Sequence, residues 1–203
     1  MPASDQSASR RQSSRQPMGE VREPQPVKVF VGILLALPST LPELHVLLED
    51  QLGPIDTQSQ LLEFDYTNYY EPEMGSGLKR KLLGFGRLAS PEALVDLKLF
   101  TNRVEQTFAV NGKRTVNIDP GYLMAARVVL ASTKNFAHRL YLGKGIYGEV
   151  TLLYQKKDFQ TLPWTYPDYR SEAYRQFFRE LRRVYMAQLP ASGSMLEEKN
   201  LLA

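Results

Sequence analysis

The sequence predicts an α+β fold with a mainly antiparallel sheet, built on a ferredoxin-like β-α-β-β-α-β core with a C-terminal hairpin and helix. Three observations support this class. Strand-like and helix-like segments alternate through the first half of the chain, a glycine-rich turn separates two later apolar segments, and the last amphipathic segment begins at a serine cap. We find no internal repeat and no heptad pattern.

The first half of the chain contains the β-α-β-β part of the predicted core. Lys28–Ala36 is a nearly continuous apolar run, which is typical of a central strand buried on both faces. Pro-Ser-Thr at 38–40 predicts the start of a helix that ends at Leu52, before a Gly-Pro pair. Apolar and polar residues alternate over Leu61–Tyr69, which predicts a half-buried strand. Arg80–Leu88 is predicted to be another strand, in which Gly84 and Gly86 allow a bulge or a close backbone approach.

The next helix begins at Ser90-Pro91-Glu92, which supplies an N-cap, a proline in the first turn and an early acid. It is predicted to end near Ala109, and a strand follows at Arg114–Ile118. Residues 119–132 leave two interpretations open. Asp119-Pro120 is typical of a helix start, with the helix running to about Ser132, whereas the Val-Val-Leu run at 128–130 also fits an extended strand.

The last third predicts a hairpin and a helix. His138–Leu142 and Ile146–Tyr154 flank Gly143-Lys144-Gly145, a hairpin signal. The final helix spans about Glu172 to Gln188 and is capped by Ser171.

Composition indicates one globular domain between two tails. The chain has 203 residues, of which 43% are hydrophobic and 23% charged, and we place the domain at residues 27–189. Residues 1–26 and 190–203 have too few large apolar side chains to offset their ordering entropy, so we predict a disordered N-terminal arm and a flexible C-terminal tail. The role of the basic arm stays open.

Charge and cysteine content exclude several partners. The chain contains no cysteine, no signal-type segment and no apolar run near the roughly 20 residues of a membrane span, so we expect a soluble cytoplasmic protein without membrane contacts. A net charge of +3, from 25 basic and 22 acidic residues scattered together, predicts no nucleic-acid partner. The oligomeric state is not predicted.

A candidate site surrounds Asn117–Leu123, where costly polar groups interrupt strand-like sequence, followed by His138-Arg139 and Glu149. His138 has the chemistry of an acid or base, and Asp119 and Glu149 are the accompanying carboxylates. A helix cap is the favoured interpretation for Asp119, and a structural hydrogen-bonded residue the favoured one for His138.

The hairpin places Arg139, Tyr141, Tyr147 and Glu149 on one face, if Tyr141 pairs with Tyr147 and Leu142 with Ile146. Either this face carries an exposed ion pair, or it lines a cleft in which Arg139 holds an anion.

Other polar residues are candidates for the same cleft. Lys98 and Asn102 lie beside the apolar stripe of the second helix, where a solvated face is the alternative interpretation. Asp65, with Asp119 and Glu149, has the oxygen chemistry of a Mg²⁺ ligand. No metal-binding spacing accompanies these carboxylates, so we assign no metal, and the sequence identifies no cofactor. The aromatic loop Trp164–Arg170 either stacks on a planar ligand or closes one end of the core.

Several segments resemble a bacterial family, the domain of unknown function 4416 family. They include Pro26–Gly32, Phe64–Tyr70, Glu73-Met74-Gly75, Asn117–Leu123, His138–Gly143 and Trp164–Tyr169. The resemblance runs in order from about Pro26 to Gln188 and implies no established activity. Members are sometimes labelled GTP-binding, but this chain has no phosphate-binding loop and only a partial match, Thr133-Lys134-Asn135, to the guanine-reading N-K-x-D.

Two hypotheses of function follow. In the first, a polar cleft binds a small anionic ligand, a nucleotide or phosphorylated metabolite, with or without catalysis. In the second, the protein is a non-catalytic interaction or structural domain, and the polar cluster is an internal network. Whether the protein is an enzyme is not decided by the sequence.

Overall fold

The computed structural model describes residues 21–190, which fold around a single nine-stranded sheet with four α-helices. The strands are β1 (Val27–Leu35), β2 (Ile55–Gln58), β3 (Leu62–Glu63), β4 (Lys79–Ala89), β5 (Val116–Met124), β6 (Arg127–Ser132), β7 (Leu140–Gly143), β8 (Ile146–Gln155) and β9 (Asp158–Thr161). The helices are α1 (Leu41–Leu52), α2 (Glu71–Met74), α3 (Leu94–Thr107) and α4 (Glu172–Gln188).

Every strand pairing in this sheet is antiparallel. The strand order is β2-β4-β1-β5-β6-β8-β7, with β3 added to β4 and β9 added to β8. The predicted α+β class with a mainly antiparallel sheet is therefore confirmed. In residues 21–190 no helix is long and apolar enough to cross a membrane. The predicted disordered arm, up to Glu20, and the predicted tail, from Ala191, lie outside the described residues.

Helices cover both faces of the sheet. α1 and α3 pack on one face, where Leu48 and Val104 meet Val31 and Ile118 of the central strands. α4 packs on the other face through a row of aromatic and leucine side chains: Tyr174, Phe177, Phe178, Leu181 and Tyr185. Because β1 lies between these two cores, all nine of its residues are buried, as its apolar run predicts.

Strong local signals located several elements correctly. Ser171 accepts a hydrogen bond from the Tyr174 backbone N–H and α4 begins one residue later, as predicted. Ser90 accepts from the Glu92 N–H, and a short 3-10 turn leads into α3. The hairpin of β7 and β8 is also confirmed, with Tyr141 opposite Tyr147.

The predicted strand Leu61–Tyr69 is wrong after Glu63, where the strand pairing ends. Only Leu62 and Glu63 pair with β4, after which the chain turns and forms α2. Phe64 packs into a small core and Tyr66 lines a cavity. The two aromatic residues therefore alternate with polar ones without forming a strand. The true second strand, β2, was missed because it is a short edge strand with one strongly apolar residue, Ile55.

The predicted helix at 119–132 is also wrong, and the extended alternative is confirmed for Arg127–Leu130. Asp119 and Pro120 lie inside β5, opposite Gly32 and Val31 of β1. On its other side, β5 pairs with β6 only from Gly121 to Met124. A proline has no N–H for the ladder, and Pro120 stands where this pairing stops. Asp119 is therefore a strand residue at an opening in the sheet and not a helix cap.

Replacing Gly121 tests how tightly the sheet is packed beside this opening. A Cβ there would lie 2.5 Å from the Val129 carbonyl oxygen and 2.6 Å from the Phe30 ring. We expect Gly121→Ala to lower the free energy of unfolding by about 1–3 kcal/mol in urea denaturation, because neither neighbour can yield freely. Gly86→Ala is the matched control, since its Cβ would have ordinary contacts at 3.5 Å. Equal losses in both variants would contradict this account.

Candidate functional site

A cavity of about 810 Å³ opens where β5 and β6 separate. Asn117 and Asp119 line it from β5, and Leu130 to Ser132 line it from β6. The segment Phe64–Tyr70 and the loop Tyr166–Tyr169 supply aromatic walls. The volume lies in the range of small-molecule sites.

Side chains of α3 replace the missing strand pairing at this opening. Lys98 Nζ donates to the Ile118 carbonyl oxygen at 3.0 Å, and Glu105 Oε1 accepts from the Ile118 N–H at 2.8 Å. Both backbone groups of Ile118 would be costly to bury unpaired. The two strands can therefore separate without leaving the N–H and C=O of Ile118 unsatisfied.

Charged side chains continue from α3 along the cavity. The second carboxylate oxygen of Glu105 accepts from Arg114 Nη1 at 2.8 Å, and Arg114 also donates to Asn117 Oδ1 at 2.9 Å. Lys98 Nζ lies 3.4 Å from Asp119 Oδ1, and Asn117 Nδ2 donates to Asp119 Oδ2 at 2.8 Å. These contacts fix Asn117 and Asp119, so most polar atoms of this part of the wall already have partners.

Arg80 of β4 differs, because part of its buried guanidinium is not satisfied. The residue is only 4% exposed. Nη2 donates to Asp168 Oδ2 at 3.2 Å, and Nη1 lies 3.7 Å from Asp119 Oδ2. Nε and Nη1 have no hydrogen-bond partner among the described residues, and neither has the buried hydroxyl of Tyr169. Such groups cost free energy unless something in the cavity pairs with them.

The unpartnered atoms of Arg80 and Tyr169 lie close together. Nη1 of Arg80 and Oη of Tyr169 are 3.3 and 3.5 Å from the point where a Cβ on Gly32 would stand. Both residues line the cavity. Glycine at 32 leaves room for this approach, and we call these adjacent unpaired donors of two cavity-lining residues the donor patch.

Tyrosine hydroxyls of the cavity stay protonated at neutral pH. Burial raises the pKa of Tyr166 to about 12 and the pKa of Tyr169 well above 10. Tyr166 Oη accepts from Arg139 Nη2 at 2.5 Å, which leaves its own proton free to be donated. These tyrosines therefore act as hydrogen-bond donors and not as anions.

Five of the predicted site residues come together in the cavity wall. They are Lys98, Asn102, Asn117, Asp119 and Glu149. Their convergence joins α3, β5 and β8, which are far apart in sequence.

Arg139 lies behind the wall and is not a lining residue. Its side chain is buried and donates to Glu149 Oε2 at 2.6 Å, Ser132 Oγ at 2.7 Å and the Tyr166 hydroxyl. Its N–H groups are thus largely used within the protein. The geometry makes Arg139 a positioning residue for Glu149 and Tyr166 in place of the anion-holding group expected from the sequence.

His138 also contacts the site indirectly. Its Nε2 lies 2.9 Å from Glu149 Oε2, and its ring stacks on Trp164 with centroids 5.3 Å apart. Trp164 Nε1 donates to the Val150 carbonyl oxygen at 2.8 Å. His138 is therefore placed to orient Glu149. Trp164 belongs to the loop that follows β9, and it packs on His138 and bonds to β8.

The remaining predicted residues lie away from the cavity. Tyr141 and Tyr147 pack on each other with ring centroids 5.3 Å apart, and neither lines the cavity. A bulge places Gly143 opposite Ile146, where Leu142 was expected. Asp65 is exposed outside the cavity wall. In residues 21–190 no three His, Asp or Glu side chains are grouped as a metal site requires.

Sequence inspection missed Arg80, and it considered Asp168 and Tyr169 only as part of the aromatic loop after Trp164. One signal was present: Arg80 stands two residues before Leu82 on the same side of a predicted strand. A cation at such a position needs a partner. Asp168, the partner, comes from a loop 88 residues later, and no local pattern links the two.

Replacing Glu105 tests whether α3 stabilises the sheet opening. We expect Glu105→Leu to lower the free energy of unfolding by about 3 kcal/mol, because the Ile118 N–H and Arg114 lose a buried acceptor. Glu105→Gln keeps an oxygen for Ile118 and should lose less. Asp96→Ala is the control, since it removes an exposed pair with Lys144 and should cost about 0–1 kcal/mol. Equal effects of Glu105→Leu and Asp96→Ala in chemical denaturation would refute this role.

Stability should fall at high pH. Burial raises the pKa values of Tyr169 and Tyr174 well above 10, so the folded state keeps protons that the unfolded state releases above about pH 10. We expect a constant contribution below that pH and a decreasing free energy of unfolding above it. Urea denaturation at pH values from about 8 to about 11 measures how steeply the free energy of unfolding falls with pH. Tyr169→Phe should reduce the slope, whereas the exposed control Tyr141→Phe should not.

Comparisons with known proteins give one match. A family model described as Domain of unknown function (DUF4416) matches residues 25–185. A search of curated proteins and a search of solved structures each found no match. The matched range contains β1 through most of α4 and every cavity residue discussed above. Because the model covers more than half of the chain, the protein belongs to the DUF4416 family.

Proposed function

We propose that this protein binds a small anionic molecule, a nucleotide or a phosphorylated metabolite, in the cavity between β5 and β6. The observation that carries the proposal is the pair of unpartnered donor groups on Arg80 and Tyr169. Phosphate oxygens are strong acceptors for a guanidinium and for a hydroxyl. A bound phosphate would remove the cost of leaving these buried donors unsatisfied.

One further feature supports an anionic ligand. Lys134 lines the cavity and, in the described part of the chain, contacts the Tyr69 hydroxyl but no carboxylate. If the ligand is also transformed, Glu149 and Asp119 are the lining carboxylates that can act as acid or base, with His138 orienting Glu149.

The second candidate is a non-catalytic interaction or structural domain. The ion-pair chain favours it, because Glu105, Arg114, Lys98 and Asp119 already satisfy one another. A network of this kind can be retained for structure alone. In the first candidate the unpartnered Tyr169 hydroxyl donates to a bound phosphate, and in the second candidate it has no ligand.

Tyr169→Phe separates the two candidates. The hydroxyl has no protein partner, so its removal should leave the melting temperature unchanged or raise it. If a phosphate accepts from this hydroxyl, affinity should fall about tenfold, since a hydrogen bond to a charged group is worth about 1.5 kcal/mol. The measurement is thermal shift with inorganic phosphate, sugar phosphates and nucleotides, for which binding raises the wild-type midpoint.

A matched variant controls for structure. The Tyr174 hydroxyl donates to Asp168 Oδ2 at 2.9 Å, so Tyr174→Phe should lower the melting temperature even without ligand. No shift of the wild-type midpoint with any phosphate compound would support the structural candidate and oppose the proposal.

We also propose that β1, α1, β2, β4, α3 and β5 form a ferredoxin-like core. Its support is the adjacent strand order β2-β4-β1-β5 and the packing of both helices on one face. In this interpretation β3 and α2 are an insertion before β4, and β6 to α4 extend the sheet and cover its other face. An experimental structure showing another strand order would overturn it.

A further inference from the structure

We infer that the ligand carries a planar aromatic ring beside a single phosphate, which makes a nucleoside monophosphate the class that fits best. The inference rests on the proposed anion site and adds the part of the ligand that the site leaves undefined. It comes from a second feature of the cavity, a continuous aromatic wall that begins at Arg80.

The aromatic wall connects the donor patch to the cavity mouth. The Arg80 guanidinium lies 5.0 Å from the Phe64 ring centroid. From Phe64, ring contacts continue to Tyr66 at 5.8 Å and to Tyr70 at 6.1 Å, and Tyr70 contacts Tyr69 at 5.0 Å. A group bound at Arg80 therefore has aromatic rings beside it along the way out.

The outer rings of the cavity are partly exposed. Tyr66 and Tyr69 are 39% and 62% exposed. Phe136 approaches from the loop after β6 and is 51% exposed, while the Arg139 guanidinium lies 4.5 Å from its ring centroid. All three line the cavity. Exposed rings within a concave site are suited to stacking on a planar ligand, because stacking removes apolar area from water on both partners.

The polar groups of the cavity limit the ligand to one phosphate. Asp119 and Asp168 flank the donor patch, at 3.7 and 3.2 Å from Arg80 nitrogens. Each additional phosphate brings more negative charge beside these carboxylates, so the repulsion grows with the number of phosphates. The chain also has no glycine-rich phosphate loop. A monophosphate accordingly fits better than a triphosphate.

A polar side chain is available for the edge of a base. Asn102 of α3 lines the cavity, and its amide makes no hydrogen bond to other side chains or backbone in residues 21–190. An amide both donates and accepts, as base edges do. A sugar phosphate would leave the exposed rings without a planar partner to stack on.

The test compares ligands that share the phosphate but differ in the ring. Isothermal titration of the full chain uses adenosine, guanosine, cytidine and uridine monophosphates, ATP, ribose 5-phosphate and inorganic phosphate. At least one nucleoside monophosphate should bind about tenfold or more tightly than ribose 5-phosphate, as expected for base stacking. Adenosine monophosphate should also bind more tightly than ATP.

Two variants test the exposed rings of the cavity, and a third variant is the control. Tyr66→Leu and Phe136→Leu should each weaken nucleoside monophosphate binding several-fold and leave ribose 5-phosphate binding unchanged. Tyr141→Leu removes a ring that is 62% exposed but lies outside the cavity, and it should change neither affinity.

The outcomes distinguish the inference from the proposal on which it rests. Ribose 5-phosphate binding as tightly as every nucleoside monophosphate would overturn the inference and leave the anion site standing. Nucleotide binding unaffected by both ring variants would overturn it as well. Binding of none of the compounds, inorganic phosphate included, would overturn the inference together with the anion site.

Discussion

The cavity depends on the two hydrogen bonds that α3 makes to Ile118. A strand edge normally presents N–H and C=O groups that must be paired, and here Glu105 and Lys98 pair them from a helix. With these groups satisfied, β5 can continue along β1 while β6 turns toward β8. The opening between the two strands is thus a stable part of the fold, and Asn117 and Asp119 face it.

Pro120 reinforces the opening from the backbone side. A proline inside a sheet is compatible only with a position where no ladder hydrogen bond is needed from its nitrogen. In β5 that position falls where pairing with β6 stops. The adjacent Gly121 allows Val129 and Phe30 to approach closely, so pairing resumes immediately. Two successive residues therefore define where the sheet opens and where it closes again.

The charges of the cavity are arranged unevenly, and this has a consequence for function. On the α3 side the acids and bases pair with one another, so Lys98, Glu105 and Arg114 are accounted for by structure. On the β4 side, Arg80 and Tyr169 keep unsatisfied donors in a buried position. A folded protein tolerates such groups at a cost of stability, and functional sites are where that cost is commonly found. The unpaired donors are the observation on which we base the proposal of a ligand at this end of the cavity.

Local sequence determined the elements whose signals are local. The serine caps, the apolar run of β1 and the turn between β7 and β8 specified their structures, and the mixture of polar groups around Asn117 and Glu149 indicated a site. Tertiary structure decided the rest, because it depends on partners distant in the chain. Asp119-Pro120 resembles a helix start until β1 is placed beside it. Arg139 became a positioning residue because Glu149 and Tyr166 occupy its N–H groups. Arg80 entered the site only when β4, β5 and the loop at Asp168 were brought together, since a buried charge has meaning only through the groups that surround it.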